Sequence, residues 1–168
     1  ASAGSGAGAE NVMTMNMHRR QWLQMLGLAC VPHAQNHVTR QVHEDLLAVT
    51  EPDAIPAMDW GDMTRMLEDW GPSPWHCSVT GRHGDLGTIL ADCRHAVERH
   101  QRALGTTPTT ALVVVRGNGA AFRLADFVEI HTTISSAVNA STELRFGAAH
   151  DPALAEALRV TVVMDASA

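Results

Sequence analysis

Apolar positions along this chain repeat first with helical period and later in strand-like runs, and that alternation predicts its elements. Val38, Val42, Leu46 and Val49 recur three or four residues apart, which predicts an amphipathic helix over residues 36–50. Glu51, Pro52 and Pro56 stop it. A shorter helix is predicted over residues 22–28. Asp59 then stands where an N-cap belongs, ahead of Trp60, Met63, Met66, Leu67 and Trp70 on one helical face. Gly71, Pro72 and Pro74 end that helix, residues 75–79 read as a strand, and residues 81–84 as a turn. Leu86, Ile89, Leu90, Cys93, Ala96 and Val97 form the best-marked helical stripe, with Arg94, Glu98 and Arg99 pointing away.

Residues 111–115 are an unbroken run of apolar strand formers, as expected of a central strand covered on both faces. Gly117, Asn118 and Gly119 make the turn after it. Phe127, Ile130, Ile134 and Val138 mark another helix, which Asn139 is expected to close. Leu144, Phe146 and Ala148 alternate with polar neighbours as a half-buried strand, Asp151 and Pro152 punctuate, and residues 158–164 form the last strand. From Asp59 the order is helix, strand, helix, strand, helix, strand, strand. The predicted fold class is α/β, in an α+β-like two-layer form: a four-stranded mixed sheet with packed helices, preceded by a helical N-terminal segment.

Composition narrows the partners. The 168 residues are 45% hydrophobic and 18% charged, enough to bury a core, and the net charge is −6. With no basic, aromatic-interleaved stripe, nucleic acid is not an expected partner. No apolar run approaches the roughly 18 to 20 residues of a membrane-spanning helix. Cys30, Cys77 and Cys93 are too few and too scattered for a disulfide framework, which points to a reducing, cytoplasmic setting. Arg19 and Arg20 ahead of Leu23, Leu26 and Leu28 offer an alternative, a twin-arginine export signal, but Gln21, Gln24 and Pro32 interrupt it. Residues 1–9 are Ala, Gly and Ser, the composition of a flexible leader or linker rather than of a phosphate loop.

Asp59 and Asp62 are the candidate carboxylates. Their spacing is also that of an N-cap followed by an acid in the first helical turn, so capping alone accounts for it. Two zinc clusters exist on paper, Cys30 with His33 and His37, and Cys93 with His95 and His100. Neither supplies four ligands, so no metal is expected. A triad of Cys77, His76 and Asp85 lacks any supporting motif. Trp60, Trp70 and Trp75 fit a core as well as a pocket.

Residues 111–138, followed by residues 141–164, resemble the end of the C-terminal domain of FtsZ, of the tubulin superfamily. There a strand, a glycine turn, an acidic-started helix and a strand closed by Asp-Pro precede a last strand reading Leu-Arg-Val-Thr-Val-Val. Here that string stands as Leu158, Arg159, Val160, Thr161, Val162 and Val163, in register with Asp151 and Pro152. Upstream, Asp59, Trp60, Gly61 and Asp62 are similar to the family's synergy loop, with Ala57 where the family has asparagine. Residues 35–50 look like its long central helix, and residues 22–27 like the segment before that. The resemblance implies three parts: a leader or linker over 1–21, a helical segment over 22–57 like the end of the GTPase domain and the central helix, and an FtsZ C-terminal-like domain over 58–168. It also implies that Asp59 and Asp62 orient the water that attacks GTP on a neighbouring subunit. The glycine-threonine loop that holds GTP in this family is not found in the sequence, so GTP is expected only through a partner subunit, with no cofactor on this chain alone. The expected partners are FtsZ- or tubulin-like subunits or a second copy, in a homo- or hetero-oligomer. The alternative is a domain of the same descent outside any filament, acting as an oligomerising or small-molecule-binding module.

Overall fold

The computed structural model describes residues 33–70, 74–105, 107–119 and 123–165, with side chains from Arg40 onward. The helix predicted over 22–28 lies outside them. The chain divides into units 1–39 and 40–168, and the sheet lies in the second.

Among the described residues four α-helices and four strands follow in order: α1 (His33–Ala48), α2 (Trp60–Asp69), β1 (Trp75–Arg82), α3 (Leu86–Leu104), β2 (Thr110–Gly117), α4 (Leu124–Ala137), β3 (Glu143–His150) and β4 (Ala157–Met164). The strands make one mixed sheet in the order β1-β4-β2-β3, with β4 antiparallel to both neighbours and β2 parallel to β3. A parallel pair needs a crossover, and α4 supplies it between β2 and β3. The α/β class and the four-stranded mixed sheet are as the sequence predicts.

Side chains alternate along each strand, so each face of the sheet has its own partners. Ala111, Val113 and Val115 of β2 and Val160, Val162 and Met164 of β4 share a core with Leu86, Ile89, Cys93 and Val97 of α3 and Ile130 and Ile134 of α4. That is the two-layer unit. On the opposite face α1 and the residue after it approach the sheet: Asp45 bonds to Arg116, Arg159 and Thr161, and Val49 lies against Gly147. Leu112, Val114 and Val163 are as buried as the residues facing α3 and α4, so β2 and β4 are covered on both faces.

Two local expectations change. The turn expected at 81–84 is shortened, because Gly81 and Arg82 continue β1 by pairing with Leu158 and Ala157. A single 3-10 turn, His83–Asp85, then leads into α3. Ladder pairing along all eight residues outweighs glycine's low strand preference. Asn139 does not close α4 either. The helix ends at Ala137 with Val138 extended, and Asn139 Oδ1 accepts hydrogen bonds from the Ser141 amide at 3.2 Å and hydroxyl at 3.3 Å.

Candidate functional site

The loop between α1 and α2 carries the candidate carboxylates, and three backbone contacts fix its course. The Met58 amide donates to Val49 O at 2.8 Å, the Ala54 amide to Glu51 O at 3.1 Å, and the Ile55 amide to Ala148 O at 2.7 Å. The last ties the loop to the C-terminal end of β3. Asp59 then caps α2: its Oδ1 accepts from the Gly61 amide at 2.8 Å and the Asp62 amide at 3.2 Å. Asp62 occupies the first turn of α2, where the positive end of the helix dipole favours a negative charge. Its carboxylate lies 4.0 Å from Arg65, in a charged cleft shared with Asp69, Glu143 and Arg145. Both aspartates are exposed. The helix start therefore brings them together at the surface.

Beside this loop the ends of β2 and β3 and the start of α4 enclose an apolar notch of about 380 Å³, lined by Asp53, Ile55, Val115, Leu124, Phe127 and Ala148 among others. Ile55 is 79% exposed, Leu124 80% and Val128 56%. These are the exposed large hydrophobic residues among those described, and they fall on one loop and one helix.

Behind the loop, α1 is locked to the sheet by polar bonds. Asp45 is fully buried and accepts from Arg116 Nη1 and Arg159 Nη1, each at 3.1 Å, and from Thr161 Oγ1 at 2.7 Å. Because Thr161 donates to the carboxylate, it accepts from Ser78 Oγ at 2.8 Å, and Ser78 accepts from Gln41 Nε2 at 3.2 Å. Arg116 also reaches Asp151 Oδ2 at 2.9 Å, and Asp151 caps the next turn through the Ala153 amide. Sequence reasoning missed Asp45. Its signal was a carboxylate within the apolar stripe of Val42, Leu46 and Val49, matched by an arginine in each of two otherwise apolar strands.

The start of α4 is pinned by Asp126, whose Oδ2 lies 2.7 Å from His83 Nε2 and accepts from the Arg123 amide at 2.7 Å. Burial pushes this carboxyl up, but the bonds from His83 and Arg123 outweigh it and hold Asp126 below the usual carboxylate range.

The remaining candidates separate. Cys93 is buried under the sheet, His95 is exposed, and His100 stacks on Trp75. Among the described residues no three His, Cys, Asp or Glu side chains converge on one point, and Cys30 lies outside them. His76 and Cys77 are successive strand residues and point to opposite faces, which separates the triad. Cys77, scattered from Cys93 in sequence, packs against the core to which Cys93 belongs. Trp70 is buried and Trp60 half-buried.

Compared with solved structures, the chain superposes on FtsZ from M. jannaschii, determined as an empty dimer, with a TM-score of 0.59 at 16% identity. That match covers 87% of this chain and 43% of the other. A tryptophan-to-tyrosine mutant of FtsZ from M. jannaschii gives a TM-score of 0.56 at 19% identity, over 82% of this chain and 42% of the other. The chain has an FtsZ-like fold. It spans less than half the length of the FtsZ chains it matches. No family model matches the sequence, and no curated protein is similar to it in sequence.

Proposed function

We propose that this chain is an FtsZ-like cell-division protein, fragmentary or degenerate, that associates with tubulin-like filament subunits and offers Asp59 and Asp62 to GTP held by its neighbour. One observation carries the reading: the loop leading into the two exposed carboxylates also holds Ile55 in solvent, where with the exposed Leu124 it lines an apolar notch. Exposed apolar surface gathered in one place marks an interaction site. A subunit seated on it would rest on the same loop that ends in the carboxylates. There they would accept protons from a water and hold its lone pair in line with the terminal phosphate, while the neighbour supplies the phosphate-binding groups. Ala57, where the family has asparagine, removes one polar group from that constellation.

The test is co-sedimentation with a polymerising FtsZ, with GTP turnover measured alongside. The chain should pellet with the polymer and change its turnover. Asp59→Ala and Asp62→Ala should each abolish the turnover effect while leaving the fold intact, at a cost of about 0.5–2 kcal/mol for the lost cap at Asp59. Absence of both co-pelleting and a turnover effect refutes the filament reading. An undiminished effect in the two variants removes the carboxylates from the mechanism.

The notch also favours the second reading, an oligomerising or small-molecule-binding domain of FtsZ-like descent outside any filament. Concentration-dependent self-association without co-pelleting would select it.

A further inference from the structure

Strands β1 and β3 are the two edges of the sheet, and an edge strand presents backbone groups that can pair with another chain. In a parallel ladder the amide and carbonyl of one residue point to the same side, so alternate residues of β3 face β2 and face away from it. The Glu143 amide donates to Thr109 O at 2.8 Å and the Asp151 amide to Gly117 O at 2.9 Å, which puts the odd-numbered residues on the β2 side. From the other side the Ile55 amide reaches Ala148 O at 2.7 Å, as that alternation requires. Among the described residues, nothing bonds the outward backbone groups of Leu144 and Phe146.

The side chains of β3 suit one occupant of this open edge, a second copy of the same strand. Glu143 and Arg145 lie on one face of the strand, and the half-buried Leu144 and Phe146 on the other. Arg145 bonds through Nε and Nη2 to one oxygen of Glu143, Oε1, at 2.9 and 2.8 Å, which leaves Oε2 open to a further donor. With a second β3 laid antiparallel about a two-fold axis at Leu144, Glu143 stands directly opposite Arg145 of the second copy, and Arg145 opposite its Glu143. Both are non-hydrogen-bonded positions, where facing side chains come closest, and opposite charges there stabilise the pairing. The two Leu144 residues exchange backbone bonds, and each Phe146 amide faces the Thr142 carbonyl of the other copy. The Thr142 amide is taken by Asn139 O at 3.0 Å, so the second strand turns away before it reaches the Ile55 loop.

Other arrangements fit less well. An axis at Arg145 sets that residue against itself, and one at Phe146 brings a strand against Ala148, whose carbonyl Ile55 already holds. Strand β1 carries Arg82 as its one formal charge, so no register of β1 on itself pairs opposite charges. Charge on a sheet edge ordinarily discourages pairing. Here the two signs sit two residues apart, and a two-fold axis between copies turns that spacing into attraction.

We propose that two copies of this chain pair through β3, antiparallel about Leu144, and join their four-stranded sheets into one. The contact is distinct from the exposed Ile55, Leu124 and Val128, and it stands whether or not the chain meets a filament.

Sedimentation velocity of the full chain across a concentration series should show a monomer–dimer equilibrium. Glu143→Arg sets arginine opposite arginine twice and should raise the dissociation constant by about tenfold or more, as should Arg145→Glu through facing carboxylates. The exchanged variant Glu143→Arg, Arg145→Glu keeps the composition and restores opposite charges, so it should return the constant to its original range. In the unaltered chain, hydrogen exchange resolved by residue should slow at the Leu144 and Phe146 amides as concentration rises. The outward amides of β1, at His76, Ser78 and Thr80, should keep one rate throughout. That readout needs no variant to fold. A chain that stays monomeric at every concentration overturns the proposal. So does dimerisation that leaves Leu144 and Phe146 unprotected, or a folded exchanged variant that associates as weakly as the single ones.

Discussion

Asp45 and Asp59 are two aspartates on or next to helices, and their surroundings give them different weights. Asp59 is exposed and its carboxylate replaces water at two backbone amides. Asp45 has no exposed surface, and the side chains of its partners Arg116 and Arg159 are only 15% and 16% exposed. Removing the Asp45 carboxylate leaves two desolvated guanidinium groups without that counter-charge, and breaking such a pair costs about 3–5 kcal/mol. Arg116 keeps Asp151, so the loss falls hardest on Arg159. Urea unfolding should therefore show a markedly larger loss for Asp45→Ala than the roughly 0.5–2 kcal/mol for the lost cap in Asp59→Ala. Equal losses in the two variants would mean that water takes over the work of the Asp45 carboxylate. The cap was legible in the sequence because it depends on neighbours within three positions. Asp45 was not, because its partners lie 71 to 116 residues away along the chain.

At the scale of elements, α1 and β3 meet where one side chain must be absent. A Cβ at Gly147 would stand 2.7 Å from both Cβ and Cγ1 of Val49, the residue after α1, and a Cβ is fixed by the backbone and cannot rotate aside. Gly147→Ala should therefore destabilise by about 1–3 kcal/mol through overpacking. Val49 has no exposed surface, so Val49→Ala should also destabilise, through a cavity. Combined, the two should cost less than their sum by about 0.5–3 kcal/mol, because each supplies the space the other needs. Strict additivity in a double-mutant cycle would show that helix and strand do not bear on each other there. The strands and helices themselves were readable because each carries its own period, 2 or 3.6, within a window of ten or so residues. Where a boundary moved, as at Gly81 and Arg82, a long-range ladder had overridden a local glycine.

For the whole molecule, hydrophobic period distinguishes a core-facing stripe from a solvent face only if one of them is polar, and α4 breaks that condition. Leu124 and Val128 lie one turn apart on α4 yet are exposed, and Ile55 follows no period at all. The apolar rim therefore emerged only with the fold, whereas the carboxylates further along the same loop were marked by their resemblance to a synergy loop. If the rim is the contact between copies, its energy comes from burying those three side chains, at about 1.5–3 kcal/mol for each one fully covered. The variant Ile55→Ser, Leu124→Ser, Val128→Ser should then raise the dissociation constant for self-association by well over about tenfold, since each 1.4 kcal/mol is a factor of ten. Surface substitutions of this kind change stability by only about 0.5 kcal/mol each, so the unfolding midpoint should move little. Sedimentation velocity across a concentration series, run beside thermal unfolding, separates the two effects. Unchanged association in a folded triple variant would place the contact elsewhere, whereas weakened association at constant stability would tie it to the loop and helix that carry those three side chains.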